Sequence, residues 1–421
     1  MKPYVVALLF SALAFFVSCD DDGPYETYQV ARPILMDATE FKANAISISE
    51  PVPMTTSGKI YAYKDFIFVN DVNRGFHVIN NEDPKNPSTI AFIKVEGNND
   101  ISIKDDKLFA DSYGDLVVFD ISEINAIKVI NRVENAIYDN YGIWLEDLVF
   151  PQADIYDYGD MDYMNDVIVG WDVSTERVPV SEYTDRFAVQ EDMALSHTSN
   201  APSGNVGQGG SMARFKIVGD YLYVVDYSNI NIMDISNLSE PKVLEDVHVN
   251  WDIETIFNQG DILFIGGRQG MYIYDILDPA KPSFISEFRH GTACDPVVVD
   301  GDLAYVTLKG GDFCGNTESG LYIVDVSDLK NPELKVIYPM DGPNGLGFKG
   351  NTLFICDGAS GLKVYDKTNA PNITLLNHFA DIVAYDVIPL EKSLLLVGDQ
   401  KLLQYEYLEN DISLISTLVL Q

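Results

Sequence analysis

The sequence predicts an all-β fold, a seven-bladed β-propeller of four-stranded antiparallel blades, and three observations carry that expectation. A column of large apolar residues, Phe68, Phe109, Tyr223, Phe264, Tyr305, Phe354 and Leu395, recurs at spacings of 41, 114, 41, 41, 49 and 41 residues. Such self-similarity is the mark of a repeat array. The two long spacings are one period of 41 carrying 73 and 8 extra residues. Each period holds four short strand-like stretches divided by turn chemistry, and seven units of that size meet the arithmetic of a propeller. Parallel β-helix coils are shorter, and immunoglobulin-like units need about 90–100 residues each.

The elements of a unit follow in order. The first strand alternates, as in residues 59–63, 100–103, 213–218, 252–256, 295–299, 345–348 and 385–388. A tight polar turn such as Gly219-Asp220, Asp300-Gly301 or Gly350-Asn351 makes a hairpin. The second strand carries the aromatic column. A loop ending in Gly75, Gly270, Gly320 or Gly361 leads into a third strand that closes on Asn80, Asp120, Asp234, Asp275, Asp325 or Asp366. A short Asx side chain there can accept backbone N–H bonds from the next turn. That turn holds Pro87, Pro241, Pro282, Pro332 or Pro371, which cannot occupy a central strand. A more polar fourth strand, for example 333–338, ends the unit. The last unit, 385–420, already owns four strands, so how the ring closes is not visible; Ala45–Ser49 is a candidate extra strand at the seam.

Gly320-Leu-Tyr-Ile-Val-Asp-Val-Ser327 and Asp220-Tyr-Leu-Tyr-Val-Val-Asp226 resemble LVIVD repeats, found in bacterial and archaeal surface propellers. The resemblance covers about residues 30–421 and implies fold and location; it transfers no catalytic residue. Ahead of the repeats, Lys2 and an apolar run from Val5 to Val17 read as a signal peptide, too short to span a bilayer. The small residue Ser18 before Cys19 resembles a bacterial lipoprotein cleavage site, with Phe16 where that pattern prefers Leu. The run Asp20-Asp21-Asp22 resembles a surface-export signal of Gram-negative lipoproteins. The resulting organisation is a leader at 1–18, the acylated Cys19 and a linker at 19–57, and the propeller at 58–421 with an insertion at 134–210. The implied location is the outer membrane, lipid-anchored and exposed at the cell surface, and acyl chains supply stable attachment.

With 28 Lys+Arg against 64 Asp+Glu, the net charge of −36 excludes nucleic acid as a partner. Glycans and envelope proteins stay open. Cys294 starts the first strand of unit five and Cys314 lies in a loop on the same face, so a Cys294–Cys314 disulfide is expected. Cys356 sits in an apolar strand and is expected to be a buried free thiol. No CxxC, HExxH, GxSxG, P-loop or GxGxxG occurs.

The insertion holds fifteen Asp and Glu, Trp144, Trp171 and six tyrosines. Long loops on rigid scaffolds are where binding residues concentrate. Either these aromatics bind sugar faces, or they are the core of an extended blade edge. Pro202–Gly210 reads as a Gly/Ser-rich loop. Asp154, Asp157, Asp160, Asp162 and Asp166 offer oxygens to calcium, but without EF-hand spacing; no other cofactor is expected. In a propeller, Asp100, Asp252 and Asp295 line the channel mouth, with Arg74, Arg214 and Arg268 nearby; the group is either a polar pocket or a salt-bridge network between blades. His290 lies on the same face. The candidate binding residues are therefore Arg74, Asp100, Trp144, Trp171, Arg214, Trp251, Asp252, Arg268, His290 and Asp295. The expected function is a surface-anchored, non-enzymatic binding module for a glycan or an envelope protein. A polysaccharide hydrolase or lyase, or a purely structural envelope assembly factor, is the alternative.

Overall fold

The computed structural model describes residues 25–137, 143, 145, 148–179, 206–293, 296–310, 318–409 and 411–420. Cys19, Trp144, Cys294, Asp295 and Cys314, and with them the lipidation site and the expected disulfide, lie outside these residues. The chain divides into two compact units, residues 1–41 with 141–193, and residues 42–140 with 194–421.

The larger unit is the propeller. Among the described residues, seven antiparallel sheets follow one another at 57–95, 101–133, 215–248, 253–289, 297–339, 346–379 and 386–419, here blades 1 to 7. The expected column forms the hub of each blade: Phe68, Phe109, Tyr223, Phe264, Tyr305, Phe354 and Leu395 are all buried. The expected Asx column caps the turns after the third strands. Asn80, Asp120, Asp234, Asp275, Asp325 and Asp366 each accept the N–H two residues on, at 2.7–3.0 Å. Local chemistry thus terminates each third strand at the same place and sets the blade length.

Neighbouring blades pack through seven apolar clusters, one per interface. The cluster that joins the ends of the chain puts Ile60, Ile67 and Val69 of blade 1 against Ile388, Leu395 and Val397 of blade 7. The ring therefore closes by packing, and each of the two end blades draws its four core strands from one contiguous stretch. Met54 N–H to Leu420 O (2.8 Å) adds a backbone bond across that seam. Ile46–Ser49 is a strand as expected, but it pairs with Ser88–Val95 at the outer edge of blade 1 and not with blade 7.

Two further expectations are corrected. The end of the predicted Gly/Ser-rich loop is partly sheet: Gln208–Gly209 pairs with Ala62 and Tyr61 on the innermost strand of blade 1. The stretch taken as linker is largely ordered. Tyr25–Asp37 is a 13-residue strand in the smaller unit, antiparallel to Asp166–Pro179 and parallel to Ile155–Tyr156. Its partners lie far away in sequence, so local composition does not announce it. Asp37 then caps Ala38–Asn44 by accepting from Thr39 and Glu40 N–H. No helix among the described residues is long and apolar enough to cross a membrane.

Candidate functional site

Two polar regions of the propeller gather candidate residues: the central channel and the rim above blades 3 and 4. The channel is built from the innermost strands. On each innermost strand the residue opposite the hub column and the one two positions before it share a face, because side chains on one face of a strand recur every second residue. Lys59, Asp100, Arg214, Thr255 and Asp386 occupy one such level, and all are buried. Asp100 Oδ2 accepts the N–H groups of Arg214 (2.6 Å) and Phe215 (3.1 Å), tying blade 2 to blade 3. Burial lowers the Lys59 ammonium to about 8, offset in part by Asp100. Burial likewise raises the Asp386 carboxyl to about 7, against bonds from the backbone of Val387 and Ile60 and the charge of Lys59. Lys216, fully buried, lies 5.2 Å from the Phe257 ring and is pushed far below its ordinary range by desolvation. Among the described residues these groups form a packed polar interior, in which Asp100 ties blade 2 to blade 3.

The rim is different. Trp251 follows the fourth strand of blade 3 and is 59% exposed. Its ring stands 5.8 Å from Tyr227 and 5.9 Å from His248. Its backbone N–H donates to Asn250 Oδ1 (2.9 Å), and Asn250 in turn donates to the Tyr272 hydroxyl (2.5 Å). The indole is thus held on its edges with area left to solvent. Asp252 comes next in the left-handed region, φ 60°, a conformation that costs a non-glycine residue energy and tends to mark functional positions. Its carboxylate accepts from the Tyr227 hydroxyl, which raises that phenol, and stands 4.0 Å from Arg268. Arg268 N–H donates to Asp252 O, and Ala293 N–H donates to Arg268 O. His290 is adjacent, its N–H on Gln269 O and its Nδ1 facing Gly291 O.

Residues 209–249 and 290–339 match the LVIVD repeat family model. These LVIVD repeats are blade 3, with the turn of chain leading into it, and blade 5. No curated protein matches the chain. Solved structures that share its architecture include the following two. One is a protein from Lactobacillus plantarum, 11% identical over 86% of this chain and 96% of that one, with a TM-score of 0.55. The other is a putative 6-phosphogluconolactonase from Bacteroides fragilis, 11% identical over 87% and 97%, with a TM-score of 0.53. At such identity the likeness concerns the β-propeller fold alone.

Of the expected residues, Trp251, Asp252, Arg268 and His290 converge on the blade 3–4 rim, and Asp100 and Arg214 meet in the channel. Arg74 stands apart on a blade 1 loop, bonded to Asp71 (2.6 Å) and Thr55 and lying 5.7 Å from the Phe92 ring. Trp171 belongs to the smaller unit, where Phe150, Tyr156 and Tyr158 surround it at 5.1–5.8 Å. Those insertion aromatics pack on one another, as a small core does. Four of the five carboxylates read as calcium ligands, Asp154, Asp157, Asp162 and Asp166, are engaged there too. Asp154 accepts from Gln29 N–H (2.7 Å), Asp157 pairs with Arg32 (3.1 Å), and Asp162 caps Met164 (3.0 Å). Among the described residues, no group of three His, Cys, Asp or Glu side chains is placed to hold a metal. Sequence reasoning missed Tyr227 and His248 at the rim and Lys59, Lys216, Glu254 and Asp386 in the channel. The LVIVD period itself was the usable signal for the channel set, since aligning the units puts Lys59, Asp100, Arg214 and Asp386 in one column.

Proposed function

We propose that the protein is a non-enzymatic binding propeller, anchored through Cys19 at the outer membrane surface, that holds a glycan at the blade 3–4 rim. The observation that carries the reading is the exposed Trp251 indole beside the Asp252–Arg268 pair. An indole face stacks on the C–H face of a pyranose with large contact area and little entropy to lose. A carboxylate and a guanidinium next to it accept from and donate to adjacent hydroxyls. The net charge of −36 favours neutral or amino-bearing sugars over polyanionic ones.

The test is a glycan array probed with the soluble form that begins after Cys19, alongside Trp251→Ala. Binding to a restricted set of glycans is expected, weakened about 30-fold in the variant, as for a central aromatic anchor worth about 2 kcal/mol. An array that stays silent, or hits that W251A retains, overturns the reading. Anchorage is tested separately: Cys19→Ser should move the protein from the membrane to the soluble fraction, and retention in the membrane counts against lipidation.

A further inference from the structure

We infer that residues 206–214 are an internal clasp that holds the propeller shut, in place of a strand shared between the first and last blades. The seam between blades 1 and 7 is closed by apolar packing, which is non-directional, and by direct hydrogen bonds such as Met54 N–H to Leu420 O (2.8 Å), Gln400 N–H to Ser57 Oγ (2.9 Å), Gln404 Nε2 to Asn81 Oδ1 (2.6 Å) and Ser416 Oγ to Pro84 O (2.6 Å). The returning end of the insertion supplies directional bonds across it from inside the ring. Val206 bridges to Lys104, and Gly207 N–H donates to Ile103 O (3.0 Å) on blade 2. Gln208 and Gly209 pair with Ala62 and Tyr61 on blade 1. Gln208 Nε2 donates to Pro389 O (3.3 Å) on blade 7. Ser211 Oγ accepts Leu346 N–H (2.8 Å) on blade 6. Arg214 and Phe215 then bond Asp100 and enter blade 3. One stretch of nine residues therefore bonds to blades 2, 1, 7 and 6, on both sides of the seam, before the chain enters blade 3.

The composition of the stretch follows from this role. A Cβ on Gly207 would overlap the Tyr61 ring, and one on Gly210 would overlap the Asp386 carboxylate. Ser211, Met212, Ala213 and Arg214 are all buried. Small residues are needed because the backbone itself runs against the inner strands.

The clasp is tested by hydrogen exchange on Gly210→Val and, as a milder change, Ser211→Ala. Exchange should accelerate at least about tenfold at the inner strands of blades 7 and 1, Asp386–Pro389 and Ser57–Tyr63, and for S211A also at Leu346–Lys349. Ile253–Gln259 of blade 4, which the clasp does not touch, should keep its wild-type rate, because opening at the seam is sub-global. If G210V does not fold, S211A alone decides. Wild-type protection at the seam, or equal acceleration in blade 4, overturns the proposal.

Discussion

Asp386 gives the most demanding test of the channel. Its carboxyl is buried among blades 1, 2 and 7, and desolvation raises it from 3.8 to about 7. Above pH 3.8 the unfolded chain ionises this group freely, whereas the folded chain keeps the proton until about pH 7. Between those values the folded state binds more protons, so this group's contribution to stability falls as pH rises and levels off above 7. A shift of about 3 units at 1.36 kcal/mol each makes the ionised side chain cost about 4 kcal/mol at pH 8. Asp386→Asn mimics the protonated acid. Its amide oxygen can keep the Val387 N–H bond (2.9 Å), and its nitrogen takes the place of Oδ2, which has no hydrogen-bond partner. The variant should match wild type near pH 4 and gain up to about 4 kcal/mol at pH 8, or ~5 °C in melting temperature for a chain this long. Differential scanning calorimetry of both proteins across pH 4–8 reads the difference, in which titrations other than that of Lys59, which feels the Asp386 charge, cancel. A constant offset between the two curves, or a gain at pH 4 that vanishes at pH 8, would refute the reasoning.

Other consequences follow from the same packing. Phe109→Ala empties a fully buried hub position between blades 2 and 3 and should cost about 3–5 kcal/mol by urea unfolding. Cys356 is buried and its thiol is raised by desolvation, so iodoacetamide should label it only after denaturation; rapid labelling of the native protein would contradict its place in the core. Asp325 is held down to about 2 by the Ser327 hydroxyl and N–H and by Lys335. Its cap is complete above the ordinary value of 3.8 and lost as pH falls toward 2, so Asp325→Ala should lower the melting temperature at pH 6 and make no difference near pH 2.

The repeat was legible because each blade is set by local rules. Hairpin turns, the hub aromatic and the Asx cap recur within one period, and the turns and caps act on near neighbours in sequence, as Asp325 does on Ser327. What stayed hidden depends on partners far along the chain. Tyr25–Asp37 reads as linker because its mate, Asp166–Pro179, lies more than a hundred residues on. The stretch 206–210 reads as loop because glycine announces backbone freedom without saying how that freedom is used. Here it is used for close approach, Gly210 against Asp386. At the rim, Trp251, Asp252 and Arg268 were singled out by residue type. Tyr227 and His248 were not, since only the pairing of Asn229 with His248 inside blade 3, and the Ile253 N–H bond to Tyr227 O, bring the blade 3 loop beside the connection into blade 4.

With the channel residues Lys59, Asp100, Arg214, Thr255 and Asp386 all buried, the differences between blades that reach solvent lie at the rim. The backbone there repeats. Gly267 lies against Asp252 O and Ile253, and Gly398 lies in the same way against Val383 O and Ala384. The side chains diverge on that common frame. Blade 4 presents Trp251 and Asp252, whereas blade 7 presents Ile382 and Val383 at the edge of a cleft of about 330 Å³ that also holds Asp381, Asp399 and Lys401. A rigid repeat can thus vary one two-residue step per blade without disturbing the hub, because the step precedes the inner strand and faces solvent. On the proposed binding reading, recognition would be a property of the connections between blades, above the apolar clusters that join neighbouring blades.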